Sequence, residues 1–411
     1  MTSEERREAR YQRRKAKRDE ARLKRSMTCG DFEEVFSFRH LYLSGKKCCK
    51  GVYWKNSTQR YIGNIIPNTA KTLRELETNS FHHRGFHEFD IMERGKKRHI
   101  RSVHITERAV QKCLCDYCIV PIYSASFIHD NSASLKRRGM DYALRRMVCY
   151  LQRHYRKHGL KGGIMLYDFH SFFDSAPHEP LSREAEKRLH DPRLRELANS
   201  FILDFGEVGL GLGSQVSQTN ALLLPNPLDH FFKEVLRIKA YGRYMDDGYA
   251  IHEDIDYLYL CLECADLICQ EIGLELNRKK TVVVPLEDFY RWLKTKFILT
   301  PTGKVVLKMN KESTKIIRRK LRSFKGKYEN GDMTLKDIRS SLDSYHGHMK
   351  RGNSYKVCQS TDHYFKSLFG FYPDKKGWNA HVQDHERKHS SGGCHDSGVG
   401  QNAGQRFLCS L

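Results

Sequence analysis

"AYGRYMDDGYAIHED", residues 240–254, sets two adjacent acids, Asp246 and Asp247, between short stretches of tyrosines and aliphatic residues. Tyr241, Tyr244, Met245, Tyr249, Ala250 and Ile251 alternate around them as strand faces do, so the stretch is expected to fold as strand, MDDG turn, strand. Side by side, two carboxylates repel, and a cation between them is the usual reason to place them together. An Asp-Asp pair on its own is more often a plain turn. A third acid upstream argues for the cation. In "KGGIMLYDFHSFFDSAPHEPL", residues 161–181, a Gly-Gly pair and the apolar run Ile164–Tyr167 lead into Asp168. That pattern reads as a buried strand delivering a carboxylate at its C-terminal end.

Three carboxylates on neighbouring antiparallel strands suit a hard divalent ion, and Mg2+ is favoured because it keeps positions open for phosphate oxygens. Two such ions roughly 3.5–4 Å apart would activate a 3′-hydroxyl and stabilise departing pyrophosphate. Alignment of the attacking and leaving oxygens supplies most of such a reaction.

The bulk of the chain agrees with a phosphate-bearing partner. Its 411 residues carry 72 Lys and Arg against 49 Asp and Glu, a formal net charge of +23. An excess of that size points to a polyanion, nucleic acid first and an anionic membrane surface second. No run of eighteen apolar residues is present, so no membrane span is expected. The N-terminal "MTSEERREARYQRRKAKRDEARLKR" lacks the apolar centre of a signal peptide. The 13 cysteines are scattered and odd in number, which favours reduced thiols in a cytoplasm over a disulfide framework.

Residues 4–25 have helix propensity without an apolar stripe, as in a solvated helix or a phosphate-binding arm. "RGKKRHIRSVHI", residues 94–105, is basic and extended, and "TERAVQKCLCDYCIVPI" after it is helical. "LLLPNPLDHFFKEVL" reads as a helix perturbed by Pro225 and Pro227, residues 254–273 as an amphipathic helix and "TVVVPL" as a strand. Residues 311–350 are helical and rich in Lys and Arg, and beyond about residue 375 the low apolar content predicts a disordered tail.

"YMDD" at the end of a strand, with "YDFHSFFDSAPHEPL" upstream, resembles reverse transcriptases, and the motif order holds from about residue 85 to 355. The resemblance implies an α+β right-hand polymerase whose palm carries the antiparallel sheet. Its parts would be a basic arm over 1–30, fingers over 31–165, palm over 166–300, a helical thumb over 301–372 and a tail over 373–411. By the same resemblance Asp168 and Asp246 are the main Mg2+ ligands, Asp247 completes the triad, and the carbonyl of Phe169 is a further ligand. Phe173 matches an aromatic steric gate that excludes a 2′-hydroxyl and so selects deoxynucleotides, though it would serve equally as a core aromatic.

"GLGLGSQVSQTNALLLPNPLDHFFKE", residues 209–234, narrows the resemblance. Most reverse transcriptases carry Gln-Gly there, whereas this chain has Leu212-Gly213 followed by Ser217-Gln218, as in diversity-generating retroelements, which copy a template RNA into error-rich cDNA. Leu in place of Gln removes a hydrogen-bonding group near the nascent pair and weakens discrimination. The glycines lack the spacing and βαβ context of a dinucleotide fingerprint.

Lys97, Arg98 and Arg101 are the candidates to hold the triphosphate, with a solvated basic strand as the alternative. Arg137 and Arg138 are candidates for template backbone. Lys280 is a candidate proton donor to pyrophosphate or else an exposed loop lysine. Trp292 and Leu293 stand at the primer-grip position. Thumb helices would track an RNA–DNA hybrid. Relatives of this kind usually depend on a small basic accessory protein, so such a partner is implied as well.

"HERKH", residues 385–389, matches a zinc-protease motif but has none of the apolar flanks of a buried helix. Adventitious metal binding by His385, His389, Cys394 and His395 is the milder alternative. Cys115 and Cys118 form a CxxC without a clear second pair, so buried thiols are expected over zinc. Three readings remain: a retroelement reverse transcriptase, the same enzyme in phage defence, and a catalytically silent RNA-binding module.

Overall fold

Strand β3, Gly163–Tyr167, is buried at every position, and its run of Ile, Met, Leu and Tyr suits a strand covered on both faces. In the computed structural model, which describes residues 2–93 and 96–374, β3 lies second from one edge of a four-stranded sheet. The order is β4 (Tyr241–Tyr244), β5 (Asp247–His252), β3, β6 (Val282–Pro285). All three pairings are antiparallel. Helix Ile255–Glu271 packs on β3, β5 and β6, and helix Met140–His158 on β4 and β5. Asp254 caps the first of these by accepting from the Tyr257 amide at 3.2 Å.

Register fixes what meets at the sheet's functional end. Tyr167 pairs with Gly248 and Tyr244 with Asp247. Gly248 admits no other residue, because a Cβ there would sit 2.1 Å from Tyr167 Cζ. Met245 and Asp246 form the two-residue connection of the β4–β5 hairpin, with Met245 at a φ of 54°. Such hairpins favour glycine or asparagine at positive φ, so the methionine backbone is held in a costly conformation.

The fold is α+β with antiparallel strand pairs, the class the sequence leads one to expect. Hairpin β1–β2 (Phe86–Glu93 and Lys96–Val103) forms a separate two-stranded sheet. Strands β7 (Tyr290–Trp292) and β8 (Thr295–Leu299) form another hairpin, turning through Leu293 and Lys294. The chain divides into two compact units, the first ending at Val306 within the strand Val305–Met309. In the first unit the main apolar core runs from Phe32 through Leu114 and Tyr167 to Leu276, with a smaller cluster at Cys49, Tyr61 and Ala109. The segments expected as fingers and palm therefore share one interior. The second unit holds helices Lys311–Glu329, Leu335–Met349 and Tyr355–Phe369 around Leu321, Ile338, Leu342 and Phe365.

The basic N-terminal segment is one helix, Ser3–Thr28, with Ser26 as its buried residue. The "TERAVQKCLCDYCIVPI" stretch is helical from Ile105 but widens into a π-helical turn at Cys115–Ile119. A second π-helical turn, Phe231–Val235, follows the prolines of the "LLLPNPLDHFFKEVL" stretch. Cys115 and Cys118 are buried free thiols. Among the described residues no helix is long and apolar enough to cross a membrane. The predicted tail beyond Asp374, with His385, His389, Cys394 and His395, lies outside the described residues.

Candidate active site

Asp168 follows directly on β3, and Asp247 opens β5. Tyr167 pairs with Gly248, and Asp168 and Asp247 each lie one residue beyond that pair, with Asp246 one residue further into the turn. Residues directly opposite in an antiparallel pair have Cα atoms about 4.5–5.5 Å apart. The three acids are thus brought together from segments about eighty residues apart in sequence. Asp168 is buried, and Asp246 and Asp247 are half-buried.

Electrostatics follow from that crowding. Burial, then the charges of Asp246 and Asp168, push the Asp247 carboxyl up to about 7. Burial and the charge of Asp168 raise Asp246 in the same direction. A cation pairs directly with one of them: Lys280 Nζ ion-pairs with Asp168 Oδ2. The Asn277 amide fixes the backbone of Asp168 by donating to its carbonyl at 2.8 Å. An all-oxygen donor set whose negative charge is only partly balanced fits a hard divalent cation such as Mg2+. The residues that would hold it are Asp168, Asp246 and Asp247.

Beneath the turn lies a polar network that sequence reading leaves unassigned. Arg243 and Asp229 are both fully buried. They pair through two bonds, Nε to Oδ1 at 2.8 Å and Nη2 to Oδ2 at 2.7 Å. Arg243 Nη1 also donates to the Met245 carbonyl at 2.7 Å, and Nη2 to the Leu222 carbonyl at 2.9 Å. Tyr241 donates to Asp229 Oδ1 at 2.7 Å and shares a 2.6 Å hydrogen bond with Tyr167. The strained carbonyl at Met245 is therefore held from below by a satisfied ion pair. The signal in the sequence was an arginine two residues from a core-facing tyrosine in the same strand.

The remaining candidates scatter. Phe169 is buried and bridges to Leu276, its ring stacked on Phe172 at 5.3 Å. Phe173 is half-buried, edge-on to Phe172, and its carbonyl accepts from the Leu210 amide at 2.6 Å. Leu212 is half-buried, while Gly213 and Gln218 are exposed. Gly213 takes a φ of 108°, and a Cβ there would lie 3.7 Å from the Arg101 carbonyl. On β2, Lys97 and Arg101 point to one face and Arg98 to the other. Lys97 pairs with Asp90 at 2.9 Å. Arg101 pairs with Glu88 at 2.9 Å and donates to the Phe205 carbonyl at 3.1 Å.

Arg138 is engaged within the fold, donating to the Asn131 carbonyl at 2.6 Å and the Ile128 carbonyl at 3.3 Å, while Arg137 is exposed at a φ of 62°. Trp292 is buried edge-on against Tyr249 of β5, with ring centroids 4.9 Å apart. Leu293 and Lys294 turn at φ 47° and 62°. Both positions of a turn of that hand normally call for Asn or Gly, so two ordinary side chains are held there under strain. The Lys294 charge reaches Asp247, which it favours in the ionised form.

No family model matches the sequence, and no curated protein matches it. Solved telomerase structures do. Apo telomerase from Candida tropicalis is 12% identical with a TM-score of 0.45, over 70% of this chain and 59% of that one. Its form truncated from the C-terminal domain is 12% identical with a TM-score of 0.42, over 55% of each chain. Telomerase from Candida albicans, in complex with a TWJ fragment of telomeric RNA, is 12% identical with a TM-score of 0.42, over 69% of this chain and 60% of that one. The chain spans somewhat over half the length of these telomerases.

Proposed function

We propose that this chain is an RNA-directed DNA polymerase, a reverse transcriptase that copies template RNA into cDNA. The observation that carries the reading is the convergence of Asp168, Asp246 and Asp247 at the end of β3 and the β4–β5 turn. Two Mg2+ ions bound there would supply the charge that polarises a primer 3′-hydroxyl and stabilises pyrophosphate. The chain's own residues do the rest. Asp168, Asp246 and Asp247 would supply the ligand oxygens, and the Arg243–Asp229 pair holds the Met245 carbonyl of the turn. Lys280, with its pKa raised by the Asp168 hydrogen bond, carries a proton beside that point for the departing pyrophosphate. The half-buried ring of Phe173, on the helical turn just after Asp168, would crowd a 2′-hydroxyl. Trp292, packed on Tyr249 of β5, and Leu293 in the turn after it would steady the primer end, and the basic face of β2 the triphosphate.

The error-prone, diversity-generating form of this activity rests on Leu212. Its side chain accepts and donates nothing at a position where most relatives carry Gln. Offered an RNA template, a DNA primer, four deoxynucleotides and Mg2+, the protein should make complementary DNA with errors concentrated at template adenines. Sequencing the product checks both parts. Leu212→Gln should lower the adenine errors by about tenfold, the value of roughly 1.4 kcal/mol of discrimination. An unchanged error spectrum removes Leu212 from the account, and absence of templated product removes the polymerase.

A further inference from the structure

Away from the three aspartates, the structure brings His83, Glu107 and Asp204 together from three separate segments. His83 lies in the loop that enters β1, Glu107 in the first turn of helix Ile105–Leu114, and Asp204 at the C-cap of helix Pro192–Leu203. His83 Nδ1 is 3.4 Å from Glu107 Oε1 and 3.5 Å from Asp204 Oδ2. One ligand atom from each residue lies within 4.8 Å of the other two, the single group of three so arranged among the described residues. Donors at the corners of a tetrahedron with bonds of about 2.0–2.2 Å stand roughly 3.3–3.6 Å apart. The spacing of the two contacts to Nδ1 is therefore that of one coordination sphere.

Three further observations point to a cation there. His83 Nδ1 is buried and makes no well-formed hydrogen bond, although two carboxylate oxygens face it. Glu107 is 1% exposed, a carboxylate taken out of water beside one half-buried imidazole, accepting from Gln111 Nε2 at 3.2 Å and from the Arg84 amide at 3.5 Å. Buried carboxylates are costly unless they pair or bind metal. The neighbouring cations have other partners: Arg101, whose charge also reaches Asp204, pairs with Glu88 and the Phe205 carbonyl, and Arg84 pairs with Glu75. With the imidazole neutral, as metal ligation requires, the two carboxylates would offer a charge of −2 for a divalent ion to cancel.

The shell around the three is built. Gln111 Nε2 donates to Glu107 Oε1 at 3.2 Å, and Gln111 Oε1 accepts from Ser214 at 3.1 Å. The His83 ring lies edge-on to the buried ring of Phe201, with centroids 5.1 Å apart. Partners of this kind orient metal ligands and are costly to remove.

We propose that His83, Glu107 and Asp204 form a site for a divalent transition metal of the Zn2+ class, distinct from the acidic triad. An imidazole ligand favours Zn2+ and its neighbours over Mg2+ and Ca2+, which prefer oxygen alone. Bound there, the metal ties the base of the β1–β2 hairpin to the helix behind it and to the segment ending in Phe205. The Phe205 ring already packs on Phe86 at 4.7 Å. The site thus fixes the strand that carries Lys97, Arg98 and Arg101. It stands whether or not the chain is a polymerase.

Zn2+ titration of the chelator-stripped full chain, against a chromophoric competitor, tests the proposal. One equivalent should bind tightly, and His83→Ala should weaken that equivalent by at least about 100-fold. Asp246→Asn and a His389→Ala/Cys394→Ser variant should retain it, which separates the site from the triad and from the tail. Bound Zn2+ should slow amide exchange in residues 86–103 in the wild type and leave His83→Ala unaffected. His83 is half-exposed, so its variant should fold where a change at buried Glu107 does not. Uptake by His83→Ala equal to wild type, or loss of uptake only in the tail variant, would overturn the assignment in favour of a plain histidine–carboxylate ion pair.

Discussion

Asp247 opens β5 with its carboxyl facing two others, and burial with those charges lifts its pKa to about 7. An unfolded aspartate titrates near 3.9. Between about pH 4 and 7 the folded chain keeps a proton that the unfolded chain has released, so stability falls as pH rises through that window. In metal-free buffer the unfolding midpoint should therefore decline from pH 5 to pH 8, with a slope of up to about one proton. Asp247→Asn should flatten that decline, and Mg2+ should stabilise the wild type more at pH 8 than at pH 5. Parallel curves for the two proteins would show that Asp247 keeps an ordinary carboxyl. The acids were legible in the sequence because adjacent like charges inside an alternating apolar strand repel, and a bound cation is what offsets that repulsion. A second use of Arg138 was not: it is a candidate for template backbone, and its guanidinium also closes a turn by bonding the Ile128 and Asn131 carbonyls. Nothing in local sequence distinguishes those two uses.

At the scale of elements, the β4–β5 hairpin is held by the buried Arg243–Asp229 pair as well as by its ladder. Removing one partner of a buried pair leaves an uncompensated charge, at a cost of about 3–5 kcal/mol. Arg243→Ala and Asp229→Ala should each lower stability by that amount in urea unfolding. The apolar double replacement Arg243→Met/Asp229→Leu should recover most of the loss, since the desolvation penalty disappears with both charges. It should not restore synthesis, because nothing then holds the Met245 carbonyl. Single variants costing under about 1 kcal/mol would show that the pair is dispensable. The hairpin and β3 could be read from period-two patterning and a glycine-flanked apolar run. The pair beneath them could not, because Asp229 and Arg243 lie on different elements and only the tertiary fold shows that both point inward. The π-helical turns escaped for a related reason, since packing decides where a helix widens.

For the whole molecule the governing quantity is the net charge of +23. Affinity for an RNA–DNA hybrid should fall steeply with salt, at least about 10³-fold from roughly 50 to 200 mM if six or more phosphates are neutralised. Fluorescence anisotropy across that range measures it, and a flat dependence would mean the charge serves something else. Composition made this expectation available at once, but it left enzyme and silent binder equally open. The same assay, run alongside primer extension on an RNA template, separates them. Asp246→Asn should bind the hybrid as tightly as wild type while its Mg2+-dependent extension rate drops by about 10³-fold or more, the loss of several kcal/mol of transition-state stabilisation. Extension by Asp246→Asn at the wild-type rate would contradict the account at its centre.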